Sequence, residues 1–199
     1  MDSLANAIAG QNPTQVAGTW HRHLPAKYVV SAMEGRSAYS RWGRNNSFPV
    51  LYLGQPTDSV IVEAYRHLVD PVVDKAADFK DTLTPRMLVT AEVSVTNILD
   101  LRTATTRMEL GLSLEEMRSE TYDRDAYAAC QEVAGAAHQQ GFHGLIAPAA
   151  TKRGDTLVLF TNRLPASEVP IVGTQELWIP FPDDPRSASS PRLRVVRDD

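Results

Sequence analysis

What most constrains this chain is an irregular mixture of short strand-like and helical stretches. β-prone segments at residues 17–24, 49–53, 87–95, 144–147, 156–160 and 176–179 are bounded by Gly, Pro or Asn. The spacing predicts a helix over 123–140, where Ala126, Cys130, Val133, Ala134 and Ala137 recur on one face and Gly141 supplies the stop. A second helix is expected to begin after the Thr57-Asp58-Ser59 cluster and to run to about Val69, before Pro71. A short third one follows Ser113, whose side chain can form a capping box with Glu116. Strands and helices do not alternate regularly, which disfavours a doubly wound parallel sheet and points to an α+β fold.

A chain of 199 residues with 43% hydrophobic content supports one compact domain. We read it as residues 16–180, between a polar, aperiodic segment 1–15 and a Pro/Ser-rich segment 181–199, both expected to be flexible surface. The net charge of -4 argues against nucleic acid as a direct partner. Cys130 is the single cysteine, so no internal disulfide forms and a reducing cytoplasm is the expected setting. The N-terminal stretch lacks the basic and apolar regions of a secretory signal, and no apolar run is long enough to span a bilayer, so no membrane partner is expected. Neither GxGxxG nor GxxxxGK[ST] occurs, so a bound nucleotide must be held by side chains.

Residues 20–67 carry the chemistry. They contain a strand with Arg22, a basic loop Arg41-Trp42-Gly43, an apolar strand Leu51-Tyr52-Leu53 and a helix carrying Glu63. Taken singly, each has a plain structural reading. On a helical wheel Ile61, Ala64, Tyr65 and Leu68 share one face and Glu63 falls opposite, in solvent, within reach of Arg66. Arg22 and Arg41 fit surface charges with packed stems, and Tyr52 fits a core aromatic. His21 and His23, two apart on a strand, share a face that suits a metal, yet no acidic or cysteine ligand set accompanies them, so no metal is expected. Cys130 reads as core, and His138 and His143 as partners of a helix C-terminal dipole.

Taken in order, these pieces resemble the RES domain, the toxin half of RES/Xre toxin-antitoxin pairs, and the continuation through Leu99-Asp100-Leu101, Ala129-Cys130-Gln131, 144–148 and 157–160 extends the likeness over about residues 19–160. The resemblance implies an ADP-ribosyltransferase-like mixed or antiparallel sheet with flanking helices. It also implies cleavage of NAD at the nicotinamide-ribose bond by hydrolysis or phosphorolysis; transfer of ADP-ribose to a protein, or slow NAD binding alone, are the alternatives. Carried over by position, Arg22, Glu63 and Tyr52 are the implied catalytic residues, and Arg22, His23, Arg41 and Tyr52 the implied NAD-binding ones. An Xre-like helix-turn-helix antitoxin is the implied partner, and a homodimer is compatible with the pattern. The chemistry agrees: cleavage develops positive charge on the ribose, which a carboxylate stabilises, and guanidinium forks match a pyrophosphate. The chain departs from the family pattern at His23, Gly43, Ala128 and Ala149, where the family commonly has Tyr, Asn, Ser and Ser. Arg22 and His23 cannot both face one pocket on a regular strand, so a bulge or strand end is expected there.

Overall fold

Period-two alternation of apolar residues produces six strands in the computed structural model, which describes residues 2–72, 79–119 and 125–187. These are β1 (Thr14–Pro25), β2 (Val50–Gln55), β3 (Arg86–Asp100), β4 (Gly144–Pro148), β5 (Asp155–Phe160) and β6 (Ile171–Trp178). The sheet runs β1-β2-β5-β4-β3-β6, and β1 also pairs with β3. The first five strands therefore close into a ring, with β6 as an extra strand on β3. All pairings are antiparallel except β3 with β4. Inside the ring Trp20, Leu51, Leu53, Val93, Val95, Ile98, Ile146, Leu157 and Leu159 form a dry cluster.

The opposite parity of the same strands faces helices. α5 (Ala128–Gln139) lays Cys130, Val133, Ala134 and Ala137 against Val50, Leu145, Ala147, Val158 and Phe160. It ends at Gly141, whose φ of 86° is the left-handed geometry that a helix stop requires. α2 (Thr57–Leu68) packs Val60, Ala64 and Tyr65 against Leu88 and Trp178. The short α3 (Ala104–Glu109) and α4 (Leu114–Arg118) lead toward α5, and α4 carries the expected capping box of Ser113 and Glu116. The result is a mixed α+β domain with a sheet-dominated core and flanking helices. Among the described residues no helix is long and apolar enough to cross a membrane.

Four local expectations need correction. The segment read as flexible, 1–15, contains α1 (Asp2–Ala9), with Ile8 fully buried beside α5. Its Leu4, Ala7 and Ile8 do follow a helical stripe, but two turns are too short to stand out. β3 is six residues longer than expected, because its far half pairs with the start of β1 and then with β4. β6 begins at Ile171, earlier than the expected 176, and its exposure hides it from hydrophobic patterning. The Thr57-Asp58-Ser59 cluster lies inside α2, whose N-cap is Pro56 with no side-chain cap; Ser59 Oγ instead bonds Thr151 Oγ1 at 2.7 Å.

At the far end, Pro182 accepts a hydrogen bond from the Tyr65 hydroxyl, and Arg186 forks onto Asp70 and Asp184, so residues 181–187 are fastened to α2. The remainder of the Pro/Ser-rich stretch, and the start of the 123–140 helix at 123 and 124, lie outside the described residues.

Candidate functional site

A cleft of about 490 Å³ opens where β1 parts from β2, roofed by α2 on one side and by the 39–42 loop on the other. Its volume suits a small organic ligand, for which pockets run from roughly 300 to 1,000 Å³. Arg22, His23, Arg41, Tyr52 and Glu63 all border it. His21, His67, Ser59, Thr151, Tyr39 and Tyr127 border it too, and sequence reasoning gave none of these a part in binding.

β1 keeps unbroken register with β3 through His21, Arg22 and His23, and the pairing shifts only between Thr14 and Val16. The bulge expected at Arg22 and His23 is therefore absent. A strand gap takes its place: β1 meets β2 at the single pair His21–Gly54, so beyond that pair its edge is open to the cleft. Alternation then sets His21 and His23 on one face and Arg22 on the other. Nη1 of Arg22 donates to the Ala32 carbonyl, while its buried Nε has no hydrogen-bond partner. Burial, with the charges of Arg36 and Arg86, lowers the Arg22 pKa to about 10. Among the described residues no carboxylate pairs with it. A buried cation without a counter-charge is costly, and an anion beside it relieves that cost.

His23 stacks on Trp178 at 5.8 Å, and its Nδ1 receives Nη2 of Arg86 at 2.8 Å. Burial and the neighbouring Arg86 charge hold its pKa down to about 3, so the ring is neutral. His21 is also shifted down by burial, partly offset by Glu92, and its Nδ1 is buried without a partner. Among the described residues no group of three His, Cys, Asp or Glu is placed to hold a metal.

Glu63 departs from the solvated reading in a specific way. It does lie off the packed face of α2, but that side looks into the cleft. Its Oε1 is 2.6 Å from Nε2 of His67, with 39% of the Glu63 side chain accessible. The expected pairing with Arg66 is replaced by this one, and Nη2 of Arg66 donates to the Ser119 carbonyl. Burial pushes the Glu63 pKa up, yet the His67 hydrogen bond and the charges of His67 and Arg66 outweigh it and leave it below the usual value. The group is a carboxylate at neutral pH.

Arg41 and Tyr52 organise the loop between them. Arg41 donates through Nη1 to the Glu116 carbonyl at 2.9 Å and Ser119 Oγ at 2.7 Å, and through Nη2 to the Ser119 carbonyl at 2.7 Å. Its guanidinium also lies 4.5 Å over the Tyr127 ring. The Tyr52 hydroxyl donates to Ser40 Oγ and accepts from the Trp42 N–H, both at 2.9 Å. Burial raises the Tyr52 pKa, so the phenol stays neutral. Gln131, from the Cys-Gln pair, braces the same loop by donating to the carbonyls of Ser40 and Gly43.

The departures from pattern acquire physical reasons. A Cβ on Gly43 would stand 2.8 Å from Ser40 Oγ and 3.1 Å from the Ala38 carbonyl, so an Asn there requires Ser40 and the loop to shift. Asn45 closes it instead by accepting from the Tyr39 N–H at 2.8 Å. Ala128 and Ala149 do not themselves border the cleft, although Tyr127, Pro148 and Ala150 beside them do, and its aliphatic hydroxyls come from Ser40, Ser59, Thr151 and Thr156. Cys130 is core as expected, its thiol pushed up to about 12, chiefly by burial. His138 stacks on Phe48 and bonds Asn162, and His143 bonds Glu168, so both make specific side-chain contacts beyond the expected dipole role.

Comparison with known proteins gives the same outline. The RES domain family model matches residues 19–182. A chain of the crystal structure of the M. tuberculosis MbcT-MbcA toxin-antitoxin complex aligns with a TM-score of 0.74 at 23% identity, covering 89% of this chain and 92% of that one, a likeness of fold. No curated protein sequence matches the chain.

Proposed function

Because the chain belongs to the RES domain family, we propose that it is the toxin of a toxin-antitoxin pair and that its cleft cleaves NAD at the nicotinamide-ribose bond. One observation carries the reading: a single cleft is bordered by an ionised carboxylate, Glu63, and by a buried guanidinium, Arg22, that has no counter-charge among the described residues. That pairing suits a substrate with a sugar that becomes cationic at one end and a pyrophosphate beyond it.

The bond from C1′ to the nicotinamide nitrogen breaks, and its electron pair leaves with nicotinamide as a neutral molecule. An acceptor oxygen, from water or phosphate, then bonds to C1′ and gives up its proton. Glu63 stabilises the positive charge on the ribose between those events and hydrogen-bonds its hydroxyls. Arg22 supplies the charge that the pyrophosphate needs, and neutral His23 provides a wall that does not repel the developing cation. Tyr52 offers a ring edge, its hydroxyl already engaged by the loop.

The MbcT-MbcA complex is a toxin with its antitoxin; by analogy we assign this chain a cytoplasmic, Xre-like antitoxin that covers the cleft. Incubation of purified protein with NAD, with and without phosphate, tests the reaction. Release of nicotinamide with ADP-ribose or its 1-phosphate supports it, and label transferred from NAD to a macromolecule would move the assignment to protein ADP-ribosylation. Intact NAD sinks the reading.

A further inference from the structure

Glu63 has a partner one helical turn away that borders the same cleft. His67 Nε2 stands 2.6 Å from Glu63 Oε1, and 43% of the His67 side chain is open to solvent. Among the described residues Glu63 Oε2 has no hydrogen-bond partner, so the carboxylate is held by one oxygen and offers the other. An exposed i,i+4 pair on a plain helix surface contributes little; both members of this one border the cleft.

We infer that His67 is a positioning residue for Glu63: its imidazole donates from Nε2 to Oε1 and orients Oε2 toward the ligand. The inference rests on the proposed role of Glu63 in NAD cleavage. The other charged and titratable groups around the carboxylate do not compete for this part. From β1, His23 is neutral and held there by burial and Arg86, and His21 is shifted down by burial. Arg22 on β1, Arg86 on β3 and Arg66 on α2 are guanidiniums that stay cationic. Glu63 itself is ionised. Of the three histidines that border the cleft, His67 is the one whose ring bonds Glu63.

NAD cleavage by the wild type, His67→Gln, His67→Ala and Glu63→Gln tests this. His67→Gln, whose amide donates from about the place of Nε2, is expected to keep the wild-type kcat within about threefold. His67→Ala is expected to lose roughly ten- to hundredfold in kcat with KM nearly unchanged, the cost of a misplaced group. If the alanine variant does not fold, His67→Phe, a ring without a donor, takes its place. His67→Ala keeping the wild-type kcat, while Glu63→Gln is inactive, would overturn the inference and leave the NAD reading standing. A wild type inert toward NAD, or a Glu63→Gln variant as fast as the wild type, overturns the reading of Glu63 and this inference with it.

Discussion

Replacing Tyr52 by Phe removes one oxygen and nothing else from the floor of the cleft, and the structure sets what that oxygen is worth. It accepts from the Trp42 N–H and donates to Ser40 Oγ, each at 2.9 Å. Ser40 keeps an alternative acceptor in the Ala38 carbonyl at 3.3 Å, so its loss is small. Trp42 has none, and at 2% exposure its amide is left dry. An unsatisfied buried donor costs about 1–3 kcal/mol, and the ring itself stays packed, so the whole change is about 2 kcal/mol. For a chain near this size that is a fall of roughly 4–8 °C in Tm. Thermal and urea unfolding would read it, alongside KM for NAD, which is expected to rise as the loop carrying Arg41 loosens. A Phe variant with unchanged Tm and a collapsed kcat would refute this account and move the hydroxyl to the reaction itself.

Three further outcomes follow from packing and charge. Ile8→Ala, in the unexpected α1, is expected to cost about 2–4 kcal/mol in urea unfolding, because the side chain is fully buried; a cost below about 0.5 would mean that α1 is only loosely attached. Cys130, buried with its thiol pushed up to about 12, is expected to resist thiol reagents at pH 8 until the protein unfolds, and rapid labelling of the native protein would contradict that. Burial raises the Glu168 pKa, but hydrogen bonds from Thr96 and His143 outweigh it and leave it lowered. Its contribution to stability is therefore present above the unfolded carboxylate pKa and is lost as pH falls through the lower folded value. Glu168→Gln is expected to melt below the wild type at pH 7 and with it near pH 3; an equal deficit at both would place the loss in packing.

Most of the sheet was legible because its strands have one parity inside the ring and the other under helices. Leu51 and Leu53 on β2, and Leu157 and Leu159 on β5, show the period that marks a buried strand. The closure of the ring was not legible, since pairing of β1 with β3 joins residues some seventy apart and leaves no local trace. The far half of β3 pairs through its backbone while Ser94 and Thr96 point outward, so its polarity reads as a loop.

At the site, residue types were legible and their partners were not. The helical wheel was right that Glu63 leaves the packed face of α2; it could not show that β1 and the 39–42 loop stand opposite and turn that exposure into a cleft wall. Arg41 was expected to reach toward substrate, whereas its fork holds the end of α4, so in this conformation it shapes the cleft more than it offers charge to it. Arg22 is the reverse case: read singly it is a surface charge and by resemblance a catalytic and NAD-binding one, and what the sequence could not show is its surroundings, two other guanidiniums and, among the described residues, no acid. That surplus of charge is a property of the assembled fold, since Arg22, Arg36 and Arg86 are brought together only when β1 pairs with β3 and the 26–36 segment folds across them. An anion beside Arg22 would offset the cost of burying it, which is the physical ground for the proposed pyrophosphate contact.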